Sequence, residues 1–288
     1  MKRIISAILI LGVILMLSTV AFGALTGQEG HNKYIYPVVR VSDAYVSGSG
    51  TVIYSFHMVG EKGLVSYSTY VLTNYHVIEG AITISEEWDT DLQKNVKKEK
   101  RSIVYVEIFK YRDISTPIGT LKVEADIVLY NKDFDVALLK LRTEEVVPNV
   151  ADLPNKENVD NLLVMDESIA VGCSLGFPPL PTLGVITRKN FQINSLSYHM
   201  SSSQIIYGNS GGAMFNGRGE LIGIPSMVAV AGWSTPITHM GLFIPIERIY
   251  KWLEDEHYNF IFDSSLTEEK CLKERDAEIE AKKQKKGE

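Results

Sequence analysis

The chain has 288 residues, 45% hydrophobic and 22% charged, an ordinary globular composition that excludes collagen-like, coiled-coil and disordered classes. Its 29 Lys and Arg against 35 Asp and Glu give a net charge of −6, so no basic surface for nucleic acid is expected. Two cysteines, Cys173 and Cys271, cannot build a disulfide framework or a Cys-rich zinc site. The length allows one large domain or two small ones.

The first residues read as a targeting segment. Met1-Lys2-Arg3 is a positive start, Ile4 to Leu17 is almost purely apolar, and the small residues Ala21 and Gly23 stand two apart. This is the pattern of a secretory signal over residues 1–23, cleaved after Gly23. The competing reading is an uncleaved membrane anchor, since no charge falls between Ile4 and Gln28. Either reading places the remainder outside the cytoplasm, secreted or periplasmic. A membrane partner is expected only if the segment is retained.

From residue 33 the pattern is strand-like. Lys33 to Ser42, Gly50 to Phe56, Leu64 to Leu72 and Ala81 to Ser85 are short runs rich in Val, Ile, Tyr and Thr. Glu86 to Ser102 is charged and reads as an exposed loop or a hairpin extension. Strand signals resume at Ile103 to Lys110, Leu121 to Asn131 and Val136 to Arg142. Thr143 to Leu162, with Pro148 and Pro154, reads as a linker. A second set follows at Ser168 to Gly172, Leu183 to Arg188, Phe191 to Tyr198, Ala213 to Phe215, Leu221 to Ser226 and Met240 to Ile244. Pro245 then opens a helix in which Ile246, Ile249, Tyr250 and Leu253 recur at helical spacing. The tail from Thr267 is dense in charge and reads as a solvated helix or a disordered segment. Many short strands with one linker and one helix argue for an all-β chain, as two antiparallel barrels or a sandwich.

Three local patterns carry chemistry. Gly208-Asn209-Ser210-Gly211-Gly212 puts a serine between glycines, whose backbone can turn tightly and aim consecutive N–H groups at one point. The same residues also make an ordinary glycine turn. They fit the nucleophile elbow of α/β-hydrolases too, but no acid-then-histidine order follows and the flanks are not alternating strand and helix. His76 lies at the end of a β-rich run, and Asp135 opens the apolar run Val136 to Leu141, with Asp133 as a competing turn residue. Serine needs a base to take its proton, and the base needs a carboxylate to fix its tautomer. The chain order is histidine, aspartate, serine.

Taken together these blocks resemble trypsin/chymotrypsin-fold serine proteases, nearest to the HtrA/Deg-type bacterial branch. Thr73-Asn74-Tyr75-His76-Val77-Ile78, Asp135-Val136-Ala137-Leu138-Leu139-Lys140 and Gly208-Asn209-Ser210-Gly211-Gly212-Ala213 carry the likeness. Gly48-Ser49-Gly50-Thr51, Ala170-Val171-Gly172, Gly184-Val185-Ile186 and Phe243-Ile244-Pro245-Ile246 extend it over roughly residues 33 to 258. The resemblance implies two packed six-stranded antiparallel β-barrels with a C-terminal helix. Residues 33–145 would carry His76 and Asp135, residues 146–258 would carry Ser210, and 264–288 would be a charged tail. It implies His76 as general base, Asp135 as its orienting acid, Ser210 as nucleophile, and the N–H groups of Gly208 and Ser210 as the oxyanion hole. Ser226, Met227 and Val228 would line the substrate-binding cleft, with Gln204 near the base of the S1 pocket. No Asp lies between Gln204 and Ser210, so a small or medium apolar residue is expected before the scissile bond. About thirty residues follow the helix, too few for the PDZ domain common in that branch.

The expected function is an exported serine endopeptidase acting on polypeptides, without metal or cofactor, with a role in protein quality control. The alternatives are a catalytically silent protease-like peptide-binding protein and an esterase using the same chemistry. His31, His57, His199, His239 and His257 have no metal-ligand spacing. Trp88, Trp233 and Trp252 read as structural or exposed.

Overall fold

The computed structural model describes residues 23–43, 45–59, 65–90, 93–232 and 235–287. The first barrel is built from β1 (Val38–Ser42), β2 (Ser47–Val59), β3 (Val65–Thr73), β6 (Val104–Tyr111), β7 (Pro117–Asn131) and β8 (Val136–Leu141). It closes in the order β1-β2-β3-β8-β7-β6, every pair antiparallel. The second barrel uses β9 (Glu167–Gly172), β10 (Leu180–Ile193), β11 (Leu196–Ser201), β12 (Ala213–Asn216), β13 (Leu221–Ala231) and β14 (Thr235–Pro245). It closes as β10-β11-β14-β13-β12-β9. The all-β, two-barrel architecture expected from the sequence is the one the chain adopts.

The strands read as continuous apolar runs because both faces are buried. On β8, Ala137, Leu139 and Leu141 point into the first barrel, while Val136 and Leu138 join the layer between barrels. On β9, Ala170 points into the second barrel, while Ile169 and Val171 face the same shared layer. Successive side chains alternate between faces, so one strand serves two cores. Strict apolar-polar alternation is absent for that reason.

Both ends of the described chain cross to the opposite barrel. The N-terminal segment contains α1 (Gly27–Gly30) and a π-turn at His31–Ile35. Tyr34 there is buried against Phe215 of the second barrel, and its hydroxyl donates to the Gly217 carbonyl at 2.9 Å. Lys33 pairs with Asp152 beside it. At the other end, α3 (Ile246–Asp255) buries Ile246, Ile249, Tyr250, Trp252 and Leu253. The chain then returns to the first barrel, where Phe260 meets Tyr54 and Tyr70 with ring centroids 5.4 and 5.7 Å away. Next, α4 (Glu268–Gly287) opens with a buried glutamate. The Glu268 carboxylate accepts from Tyr70 Oη at 2.7 Å and from Lys140 Nζ at 2.8 Å. Burial, with the nearby Glu268 charge, pushes the Tyr70 hydroxyl far above the usual phenol range, so it stays a donor.

Some sequence expectations need correction. Lys33 to Ile35 lies in the helical turn His31–Ile35 and Tyr36 in the turn after it, rather than in a strand, with Gly30 and Tyr34, one helical turn apart, buried. The break expected near Lys189 is a bulge inside continuous β10, and the turn lies at Asn194-Ser195, where both φ angles are positive. The tail is a helix docked through Glu268 and Cys271, not a wholly solvated segment. Glu86 to Ser102 is mostly hairpin. β4 (Ile82–Asp89) and β5 (Lys94–Arg101) pair with Glu86 opposite Lys97, rooted by Arg101 Nη1 on the Ile127 carbonyl at 2.8 Å. Trp88 is exposed on this hairpin and Trp252 is buried, while Trp233 and the apolar run up to residue 22 lie outside the described residues. Among the described residues no helix is long and apolar enough to cross a membrane.

Glu268→Ala removes the carboxylate that accepts from the buried Tyr70 hydroxyl and from the Lys140 ammonium. The expected loss is about 1–3 kcal/mol in guanidinium unfolding, the cost of leaving buried polar groups unsatisfied. Glu269→Ala, whose side chain is 70% exposed, is expected to leave the midpoint unchanged.

Candidate active site

The cleft is assembled at the seam between the barrels. His76 sits on α2 (Tyr75–Ile78), the short turn that follows β3. The residues before it fix that turn. Thr73 Oγ1 donates to the Ser49 carbonyl at 2.7 Å, and Asn74 Nδ2 donates to the Asp135 carbonyl at 2.8 Å. Threonine and asparagine in the Thr-Asn-x-His block are therefore positional residues, both fully buried.

Asp135 stands just ahead of β8 with φ +55, in the left-handed region that aspartate tolerates better than most residues. Its carboxylate accepts the His76 ring Nδ1 at 2.9 Å to each oxygen and the His76 backbone N–H at 3.1 Å. A third donor comes from the other barrel, Ser226 Oγ at 2.7 Å. Pairing along β13 slips between Pro225 and Met227, which leaves Ser226 as the extra residue of a β-bulge. Such a bulge re-aims a side chain, here onto the carboxylate. Bound this way, Asp135 holds the ring with Nδ1 protonated and Nε2 free to accept.

Ser210 follows a tight loop. Ser49, a residue of the first barrel, ties that loop down. Its N–H donates to the Ser210 carbonyl at 2.8 Å, and its hydroxyl donates to the Gly208 carbonyl at 2.6 Å while accepting Cys173 N–H at 2.7 Å. A Cβ on neighbouring Gly48 would lie 2.7 Å from Val77 and 3.1 Å from the Ser210 carbonyl, so the serine loop abuts the His76 turn. Asn209 is buried and accepts Ser174 Oγ at 2.7 Å. Gly208 has φ +96, and a Cβ there would lie 2.5 Å from the Cys173 carbonyl. Only glycine fits. Among the described residues, the N–H groups of Gly208 and Ser210 donate to no protein acceptor, and no hydrogen bond joins His76 to Ser210 Oγ. Serine–histidine contacts are often long before substrate arrives.

The remaining expected residues fall around the same loop. Met227 and Val228 are half-buried on β13, opposite Leu242 and Gly241. Gln204 is exposed, its carbonyl accepting Thr182 Oγ1 at 2.8 Å. Its neighbour Ile205 is the buried one, with Cδ1 2.3 Å from where a Cβ on Gly241 would stand. The sequence reading passed over Ile205. Its signal was an apolar pair, Ile205-Ile206, just upstream of the glycine loop.

Two facing β-barrels with histidine and aspartate on one and serine on the other define a chymotrypsin-like fold. Residues 48–224 match the model of the trypsin-like peptidase domain, and the chain belongs to that family. It is 28% identical over 217 residues to the serine protease Do-like HtrA of Lactococcus lactis subsp. lactis, covering 69% of this chain and 45% of that protein. It is 29% identical over 175 residues to a probable periplasmic serine endoprotease, DegP-like, of Pseudomonas fulva, covering 59% and 29%. The chain thus spans less than half the length of these relatives. Among solved structures it resembles the HtrA-type protease AlgW with tripeptide, with a TM-score of 0.57 at 19% identity, covering 82% of this chain and 64% of that one.

Cys173 lies directly under the serine loop. Burial pushes its thiol from an ordinary 9.0 up to about 12. The thiolate is the reactive form, so native protein is expected to resist iodoacetamide at pH 8 while unfolded protein reacts, read by mass spectrometry. A pKa raised by folding means extra proton binding in the native state. The stability it contributes is full below pH 9 and is lost as pH rises towards 12.

Proposed function

We propose that this chain is a serine endopeptidase acting on polypeptides outside the cytoplasm. The observation that carries this is the His76–Asp135–Ser226 network, which leaves His76 Nε2 free beside a serine loop with two unengaged N–H groups. In the reaction His76 Nε2 takes the Ser210 hydroxyl proton as Oγ bonds to the scissile carbonyl carbon. The carbonyl oxygen becomes an oxyanion held by the N–H groups of Gly208 and Ser210. His76 then returns the proton to the leaving amine, and the C–N bond breaks to give an acyl-enzyme and a free amino terminus. Water repeats the cycle, with His76 again as base and acid, and releases the carboxylic acid. Asp135 keeps its charge throughout and stabilises the imidazolium.

Substrate main chain would pair as an added strand along Met227 and Val228. The side chain before the scissile bond would then meet Ile205, so a small or medium apolar residue suits the pocket. The apolar start at residues 1–23, and the periplasmic description of the Pseudomonas fulva relative, support an extracytoplasmic place. A role in protein quality control is proposed from the resemblance to the HtrA/Deg-type branch, and the relatives' names, serine protease and serine endoprotease, support the protease reading alone.

The deciding experiment is fluorophosphonate labelling beside Ser210→Ala. Wild type is expected to label and the variant to stay blank. Folded wild-type protein that neither labels nor cleaves peptides would reject the protease reading in favour of a peptide-binding module. His76→Ala is expected to lower kcat by about 10⁶ and Asp135→Asn by about 10⁴, both without loss of fold. Gly208→Ala displaces one oxyanion donor and is expected to cost about 10²–10³ in kcat.

A further inference from the structure

The N-terminal segment begins between two clefts on the second barrel, neither of them lined by His76, Asp135 or Ser210. Gly23 and Leu25 line the larger, of about 790 Å³, together with Glu167, Val185, Gly217 and Ile222. Ala24 and Leu25 line the smaller, of about 290 Å³, with Ile169, Pro181 and Leu183. Hydrogen bonds fix the segment there. Leu25 N–H donates to Tyr34 Oη at 3.2 Å, and that hydroxyl donates in turn to the Gly217 carbonyl. A Cβ on Gly219 would lie 3.3 Å from Leu25 Cδ1, so Leu25 is seated on the turn between β12 and β13.

The carboxylates around this place are engaged, with one exception. Asp152 pairs with Lys33, Glu220 pairs with Arg218 at 2.6 Å, and Asp166 accepts the Leu163 N–H at 2.7 Å. Glu167 is half-buried, and among the described residues no group donates to it or pairs with it. It lies against the turn that seats Leu25, since a Cβ on Gly217 would stand 2.6 Å from Glu167 Oε2. On β9 it is two residues before Ile169 and shares that residue's face, about 7 Å along the strand. An uncompensated carboxylate beside Leu25, Val185 and Ile222 is costly, and a cation within reach would relieve the cost.

In the uncleaved chain the Ala24 nitrogen is a neutral amide. Cleavage of the expected signal changes that atom. A signal peptidase hydrolyses the Gly23–Ala24 bond. The water oxygen goes to the Gly23 carboxyl, which leaves with the leader, and the Ala24 nitrogen becomes an amine that is protonated at neutral pH. Ala24 shares a cleft with Ile169, so the new charge appears across a gap that the Glu167 side chain spans. We propose that Glu167 is the docking carboxylate for the α-ammonium of Ala24, and that this ion pair locks the N-terminal segment after export. This rests on reading residues 1–23 as a cleaved signal. The lock reaches beyond the second barrel. The same segment continues to His31, whose Nε2 meets Ser115 Oγ at 2.9 Å, and to Tyr36, whose hydroxyl donates to the Ile114 carbonyl at 2.8 Å. Both partners lie between β6 and β7 of the first barrel. Residues 24–36 thus form a strap from one barrel to the other, and processing fastens its free end.

The test starts from the full chain exported with its own leader. N-terminal sequencing is expected to read Ala24 first. The α-amine is then acetylated with an N-hydroxysuccinimide ester at pH 7 and followed by mass spectrometry of the N-terminal peptide. A carboxylate partner favours the protonated amine, which does not react, so wild type is expected to label about tenfold more slowly than Glu167→Gln. Glu167→Asp keeps the charge on a shorter arm and is expected to fall between them. Glu29→Gln, which removes an exposed acid from the same segment, is expected to match wild type. Placing glycine and serine ahead of Ala24 moves the charge away from Glu167. This extension is expected to lower the melting temperature of wild type by about 2–4 °C and to leave that of Glu167→Gln unchanged. A glutamate with a merely structural role would not give that crossed pattern. Equal labelling rates in wild type and Glu167→Gln, or an extension that costs both proteins alike, overturns the lock. A mature chain that keeps its leader or begins elsewhere overturns the signal reading and the lock with it, and leaves the endopeptidase reading standing.

Discussion

The carboxylate of Asp135 is the point on which both barrels converge. It accepts two donors from His76 on the first barrel and one from Ser226 on the second. Its own carbonyl is held by Asn74, and its backbone sits in the left-handed region. A residue bound from so many directions cannot relax without moving the histidine turn, the β13 bulge or the start of β8. A strained backbone persists only where its surroundings over-determine it, and such places gather at active sites.

The serine loop follows the same logic from the other side. Ser49 belongs to the first barrel, yet its N–H and hydroxyl secure Ser210, Gly208 and Cys173 of the second. The cleft is therefore not a gap between two finished bodies. Each barrel supplies groups that shape the other's functional loop, and the apolar layer of Leu138, Ile169, Phe215 and Ile244 keeps them in register.

Much of this was legible in the sequence. The histidine, aspartate and serine blocks stood out because glycine, aspartate and asparagine are needed where backbones turn sharply, and those needs leave local traces. The strands were legible as β-rich runs, though their two-sided burial hid the usual alternation. The packing of Ile205 on Gly241 left only an apolar pair as its trace and the Ser226 contact to Asp135 left none, since both depend on which strands become neighbours. The helical turn at His31–Ile35 was missed because Tyr34 and Ile35 match strand composition, whereas the contacts of Tyr34 with a distant barrel decided its shape. The hairpin at β4 and β5 was foreseen only as one of two options, because a charged stretch says little about pairing until Arg101 and Glu99 find the main barrel.

The crossed terminal segments have a consequence for the order in which the molecule can be made. A chain synthesised from its N-terminus completes the strands of its first barrel by Leu141, but Phe260 and Glu268, which close that barrel's aromatic end, come last. Until they emerge, the Tyr70 hydroxyl and the Lys140 ammonium lack their carboxylate. Conversely, Tyr34 waits for Phe215 and Gly217, which lie just beyond the serine loop. Neither half can settle on its own timetable. Each barrel thus completes its outer contacts with groups that lie in the chain before or after its own strands.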